Sequence, residues 1–199
     1  MIAGLLAVCW IAAGCGAFAV ERYATNDDIR GPWRTTPLSV DPATVVAAQR
    51  ACHLANGPVE ADGLQLAGGL VDARGSGRLT LIYIGPGDTY SECPLDMDVR
   101  GNLSPGGNFS GASGGVADLL PANRARIVAA GMSGPVAGST MLIGRIGAAV
   151  AAVRVATGGT SVQASVADGW FIAWWPGDEG DFVVELFDAT GQKVGEARI

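Results

Sequence analysis

Residues 150–176 read VAAVRVATGGTSVQASVADGWFIAWWP, and the fold class follows from how that stretch divides. Val150–Ala156 and Ser161–Ala167 are short apolar runs rich in β-branched residues. Thr157-Gly158-Gly159-Thr160 joins them, and a glycine pair supplies the positive φ angles that a tight hairpin turn requires. Asp168-Gly169 makes a second turn into Trp170–Trp175. Pro176 ends that run, because proline has no N–H to give to a strand ladder. The flanks continue the pattern. Arg126–Ala130 and Pro135–Arg145 precede it as short apolar runs, and Phe182–Asp188 and Lys193–Ile199 follow it, hinged at Thr190-Gly191-Gln192. Short strands repeated with glycine turns predict an antiparallel β-sandwich-like part over residues 116–199.

Upstream, six of residues 99–115 are glycine, with serine, asparagine and one proline among the rest. A stretch this poor in apolar side chains reads as a linker, and the boundary between two parts is expected there. Residues 41–98 then form a smaller α+β part. Asp41-Pro42 is a helix start, with Asp41 as N-cap and Pro42 at the first helical position, and the helix runs to about Ala55. Leu64–Val71, Arg78–Ile84 and Thr89–Pro94 are expected as a small β-meander, turning at 72–77 and at Gly85-Pro86-Gly87-Asp88. The fold class is thus mainly β (α+β), an N-terminal helix with a β-meander followed by the sandwich.

The first twenty residues differ from all of this. Ile2 to Val20 contains no charged residue, long enough as a helix to approach the width of a bilayer core. Residues 1–20 are therefore expected to be a signal peptide or membrane anchor, and the polar, Pro-punctuated residues 21–40 a tether. Three fates stay open. Ala17-Phe18-Ala19 is a small-residue cleavage signal, Cys15 follows a lipobox-like run and could be lipidated, and an uncleaved anchor is the third. Export places the remaining cysteines, Cys52 and Cys93, in an oxidising compartment. There they are expected to pair, which would stabilise the fold by roughly 4 kcal/mol.

Composition excludes several functions. With 49% hydrophobic and 16% charged residues the chain is globular rather than disordered. A net charge of −6, with scattered cations, leaves no basic stripe for nucleic acid. No phosphate-cradling glycine motif exists, so no nucleotide cofactor is expected. His53 is the single histidine, so the usual zinc ligand sets cannot be assembled. Asp96 and Asp98, with Glu92 and Asp88, could offer oxygens to calcium, but they lack the spacing of a calcium loop and read as a solvated acidic turn. Gly111-Ala112-Ser113-Gly114-Gly115 spells a nucleophile elbow without the strand before and helix after that would expose the serine. No catalytic residue and no metal site is assigned.

Gly144-Arg145-Ile146-Gly147, Ala151–Val155, Val162–Val166, the Gly169–Gly177 string and the Asp188-Ala189-Thr190-Gly191 turn together resemble a module of uncharacterised exported or membrane-anchored proteins of high-GC Gram-positive bacteria. Ala51-Cys52, Asp72-Ala73-Arg74-Gly75 and Cys93 look like its companion N-terminal part. The resemblance implies export and topology, and no chemistry.

What remains is the aromatic strand. Alternation puts Trp170, Ile172 and Trp174 on one face, and Phe171, Ala173 and Trp175 on the other. In a two-layer part only one face enters the core, so aromatics should be left at a surface or an interdomain contact. Phe171 and Trp175, beside Asp178 and Glu179, are the candidate binding residues for a glycan or a protein at the cell envelope. The opposing expectation is a central strand whose second face is covered. The function read from sequence is a non-catalytic extracytoplasmic binding, scaffolding or sensing module, tethered to the membrane or secreted. The alternative is a cell-envelope hydrolase using paired carboxylates, whose separation only the fold would fix.

Overall fold

The computed structural model describes residues 23–56, 70–84, 89–106, 111–113, 120–131, 138–177 and 180–198. The leader with Cys15, residues 64–69 of the expected first strand, the side chain of His53, and Asp88, Asp178 and Glu179 lie outside the described residues. Among the described residues are two helices and thirteen strands, so the chain is a β-rich α+β fold.

Helix α1 (Asn26–Arg30) starts on a capping box: the Thr25 hydroxyl accepts from the Asp28 amide, and the Asp28 carboxylate accepts from the Thr25 amide at 3.0 Å. Helix α2 (Pro42–Asn56) starts where the sequence places it, the Asp41 carboxylate accepting from the Thr44 amide at 2.9 Å and its hydroxyl at 2.6 Å. These bonds hold the Asp41 carboxyl below its usual range. Ala48 and Cys52, one helical turn apart, are the buried face of α2.

Three antiparallel sheets follow. The first has the order β1-β2-β3-β4, built from β1 (Leu70–Ala73), β2 (Arg78–Ile84), β3 (Thr89–Met97) and β4 (Leu103–Pro105), with β5 (Gly111–Ser113) also paired to β3. The second has the order β10-β11-β7-β6, from β6 (Ala125–Gly131), β7 (Ser139–Ile146), β10 (Ser165–Ala167) and β11 (Trp170–Pro176). The third runs β13-β12-β8-β9, from β8 (Ala152–Thr157), β9 (Thr160–Gln163), β12 (Phe182–Phe187) and β13 (Lys193–Arg198).

Side-chain alternation stacks these sheets. Leu142, Ile146, Phe171, Ala173 and Trp175 of the second sheet pack on Val153, Val155, Val162, Val184 and Leu186 of the third. The opposite face of the second sheet, with Met141, Ile143, Trp170, Ile172 and Trp174, packs on Leu70, Ile82 and Tyr90 of the first. Leu79, Leu81, Tyr83, Cys93 and Leu95, on the far face of the first sheet, meet Ile29, Ala48 and Cys52 of the helices. The layers therefore run helices, first sheet, second sheet, third sheet. The second sheet is buried on both faces, which is why β11 is a continuous apolar run and not an alternating one.

Three expectations change. Residues 21–40 were expected as a tether, yet residues 24–40 are bound along the body. The amides of Arg34 and Leu38 donate to the carbonyls of Arg74 and Ala73 at 2.8 and 2.7 Å, and the Gln163 amide donates to Thr35 O at 2.9 Å. A segment without apolar periodicity can still be ordered when strand edges accept its backbone. For the same reason the glycine-rich stretch expected as a linker contributes β4 and β5 to the first sheet. The single strand expected over Ser161–Ala167 is two: buried Ala164, its amide donating to Val153 O at 2.9 Å, carries the chain from the third sheet into the second.

Gly144 lies opposite Phe171 across β7 and β11. A Cβ there would meet the Phe171 ring and stand 2.7 Å from the Arg126 carbonyl oxygen. Gly144→Ala is therefore expected to cost about 1–3 kcal/mol by overpacking. Gly180→Ala, with nothing within 4 Å of the new methyl, should stay within about 0.5 kcal/mol. Urea unfolding of both variants checks the pair. Equal midpoints would refute the packing argument.

Candidate functional site

The aromatic strand does not offer its aromatics to solvent. Phe171 is fully buried in the sandwich and Trp175 is 4% exposed, its ring against Phe182 at a centroid distance of 5.8 Å. Trp170, Ile172 and Trp174 are covered by the first sheet. The face left over by the sandwich is the Trp170 face, and it makes a contact with the first sheet, as the opposing expectation of a covered second face had it. Phe171 is a core residue between the second and third sheets. Trp175 reaches a surface only where β11 ends.

At that end a cleft of about 310 Å³ is lined by Trp33, Thr157, Gly158, Thr160, Trp175 and Pro176. Its parts come from three places in the chain. The β8–β9 turn brings Thr157, Gly158 and Thr160, which pair across the hairpin as Thr157 and Thr160. β11 brings Trp175 and Pro176, and its end is fixed by the Thr140 hydroxyl donating to Gly177 O at 2.9 Å and the Gly177 amide to Gly138 O at 2.8 Å. The arm over residues 24–40 brings Trp33, which lies edge-on to Trp174 with ring centroids 6.2 Å apart.

Trp33 is held by a buried charge node beneath it. Arg74 Nε and Nη2 donate to the two carboxylate oxygens of Asp72, both at 2.8 Å, and neither side chain is exposed. Arg74 Nη1 donates to Thr35 O at 3.0 Å, fastening the arm two residues beyond Trp33. From the second sheet, Trp174 Nε1–H donates to Asp72 Oδ1 at 2.9 Å and the Ser165 hydroxyl to Asp72 Oδ2 at 2.7 Å. A buried ion pair persists when its hydrogen-bonding capacity is met, and here the arm, the first sheet and the second sheet meet it together.

Chemically the cleft can stack and hydrogen-bond. Its described lining has two indoles, a proline ring and two threonine hydroxyls, with no ionisable side chain. The Trp33 indole N–H is buried and finds no acceptor among the described residues. Elsewhere the carboxylates have ordinary work. Asp98 accepts from the Arg100 and Asn102 amides, and Asp188 from those of Thr190 and Gln192; each is held below its usual range, first by its side-chain partner Asn102 or Thr190. Asp96 pairs with Arg78 at 2.7 Å. Among the described residues no three His, Cys, Asp or Glu side chains come together as metal ligands. Ser113 of the elbow-like string lies on β5, antiparallel to β3, rather than at a strand-to-helix corner. A larger groove of about 420 Å³, lined by Leu38, Ser39, Val71, Gln163, Ser165 and Val166 among others, mixes aliphatic and polar side chains and has no aromatic.

The remaining pair from sequence is made. Cys52 of α2 and Cys93 of β3 form a disulfide, with Cα atoms 6.1 Å apart, which points to an oxidising compartment. No helix among the described residues is long and apolar enough to cross a membrane. Sequence reasoning missed Trp33, Thr157, Thr160 and Pro176 as site residues. The signal for Trp33 was a lone indole in a polar, Pro-punctuated arm, where a large aromatic has a reason to be pinned. The threonines carried none, because they look like any hairpin corner. No protein-family model, no curated protein and no solved structure matches the chain.

Proposed function

We propose that this chain is a non-catalytic binding module working outside the cytoplasm, held at the envelope by its N-terminal segment, in the manner of the exported high-GC Gram-positive module its C-terminal half resembles. The observation that carries the binding role is the Trp33–Trp175 cleft, where indole surface and hydroxyls converge on a concavity at the end of β11. The disulfide and the uncharged leader support the compartment.

The test is to plug the cleft. Thr160→Trp is expected to fill it at an exposed turn position without disturbing the core. In a thermal-shift screen of small neutral compounds on the full-length chain, ligands that raise the Tm of the native protein should leave the variant unmoved. Compounds that stabilise both proteins equally would place binding elsewhere.

A further inference from the structure

We infer that the Trp33–Trp175 cleft takes a neutral sugar ring within a glycan chain, an assignment that rests on the binding role proposed above and narrows its ligand. A pyranose has an apolar face of C–H bonds and a rim of hydroxyls that both donate and accept. The described lining is its complement: indole and proline surface from the partly exposed Trp33 and the exposed Pro176, with only a 4% exposed part of Trp175 between them, bordered by the hydroxyls of Thr157 and Thr160. C–H bonds carry partial positive charge and are drawn to the negative face of an aromatic ring, so a sugar gains from stacking what a flat anion does not.

Charge argues the same way. No described residue lining the cleft is ionisable, so a charged ligand would be desolvated without a partner. The Trp33 N–H is buried without an acceptor among the described residues, an unspent donor on the ring that lines the cleft.

A chain rather than a free monosaccharide follows from the rim. Gly158, Gly159 and Gly177 have nothing within 4 Å of where a side chain would start, so the cleft opens past them and a ring can continue into its neighbours. A volume of about 310 Å³ sits at the small end of ligand sites, enough for one or two sugar rings rather than a longer oligosaccharide.

The experiment uses the full-length chain labelled with 5-fluorotryptophan and read by fluorine NMR. It is titrated with chitotriose, maltotriose, N-acetylglucosamine, trigalacturonate and a proline hexapeptide. A neutral trisaccharide is expected to move the Trp33 resonance, more strongly than the monosaccharide, while trigalacturonate leaves it in place. Trp33→Ala should weaken binding about tenfold, the value of one lost stacking ring. Thr160→Val, which keeps shape and removes one hydroxyl, should weaken it about threefold to tenfold. Because Trp33→Ala could loosen the arm, Trp33→Phe is the folding control, expected to retain most of the binding. Trisaccharide binding that survives both Trp33→Ala and Thr160→Val overturns the inference, as does trigalacturonate binding equally well. A response to the proline peptide alone overturns the sugar assignment and leaves the cleft as a binding site. Silence from every probe, with no compound discriminated by Thr160→Trp, removes both.

Discussion

Asp72→Ala is expected to destabilise the protein by about 3–5 kcal/mol, the cost of leaving a buried charge without its partner. Asp72 and Arg74 are both fully buried, so no solvent screens what remains. Removing the carboxylate strands the guanidinium, the Trp174 indole N–H and the Ser165 hydroxyl together. For a chain of this size each kcal/mol lowers Tm by roughly 2–4 °C, so a fall of roughly 6–20 °C should be seen by near-ultraviolet circular dichroism. The diagnostic comparison is Asp72→Leu with Arg74→Met. An apolar pair of similar volume leaves no stranded guanidinium, so the double variant should recover that part of the loss. Its remaining deficit should come from the Trp174 indole N–H and the Ser165 hydroxyl, which still lose Asp72, while Thr35 O keeps the Gln163 amide. A single variant that loses less than about 1 kcal/mol would show that the node is not what joins the layers.

Replacing Cys52 and Cys93 by alanine is expected to cost about 4 kcal/mol. The bridge spans 41 residues, and tying the ends of a loop that long removes that much conformational entropy from the unfolded chain. Domains are stable by only about 5–15 kcal/mol, so the doubly substituted protein should lie near the threshold of unfolding at growth temperature. Both cysteines are fully buried where α2 meets β3, so a thiol reductant should act on the native protein only as fast as the helix lifts from β3. Urea midpoints of the oxidised and substituted proteins give the number. Coinciding midpoints would mean that the helix holds its place without the bridge, and that the compartment has no bearing on stability.

The sequence made the β character, the helix start, the cysteine pair and most strand positions readable, because each has a local cause. Asp41-Pro42 specifies a cap and a first turn wherever the rest of the chain goes, and Thr157-Gly158-Gly159-Thr160 specifies a hairpin. The layer count had no local cause. The alternation of Trp170 to Trp175 says that both faces carry large rings, and it does not say what lies against each. The sandwich's own two sheets make Phe171 and Trp175 core, and the first sheet covers the other face, Trp170, Ile172 and Trp174. The arm escaped for a related reason. Its order comes from carbonyls of Ala73 and Arg74 and from the amide of Gln163, partners that no pattern within residues 24–40 encodes. The candidate site inherits that gap, since Trp33 reaches Trp175 only through the arm.

The charge node has a temporal consequence. Trp174 stands 102 residues beyond Asp72, and the arm that Arg74 fastens precedes both. A polypeptide that emerges amino end first presents its arm early and must wait for almost the whole remainder before Asp72 can be satisfied. Until then an Asp–Arg pair and a tryptophan stay wetted and unlatched, and native contacts this distant in the chain make assembly slow. The cleft is thus assembled late, since Trp175 and Pro176 follow the arm that carries Trp33 by more than a hundred residues.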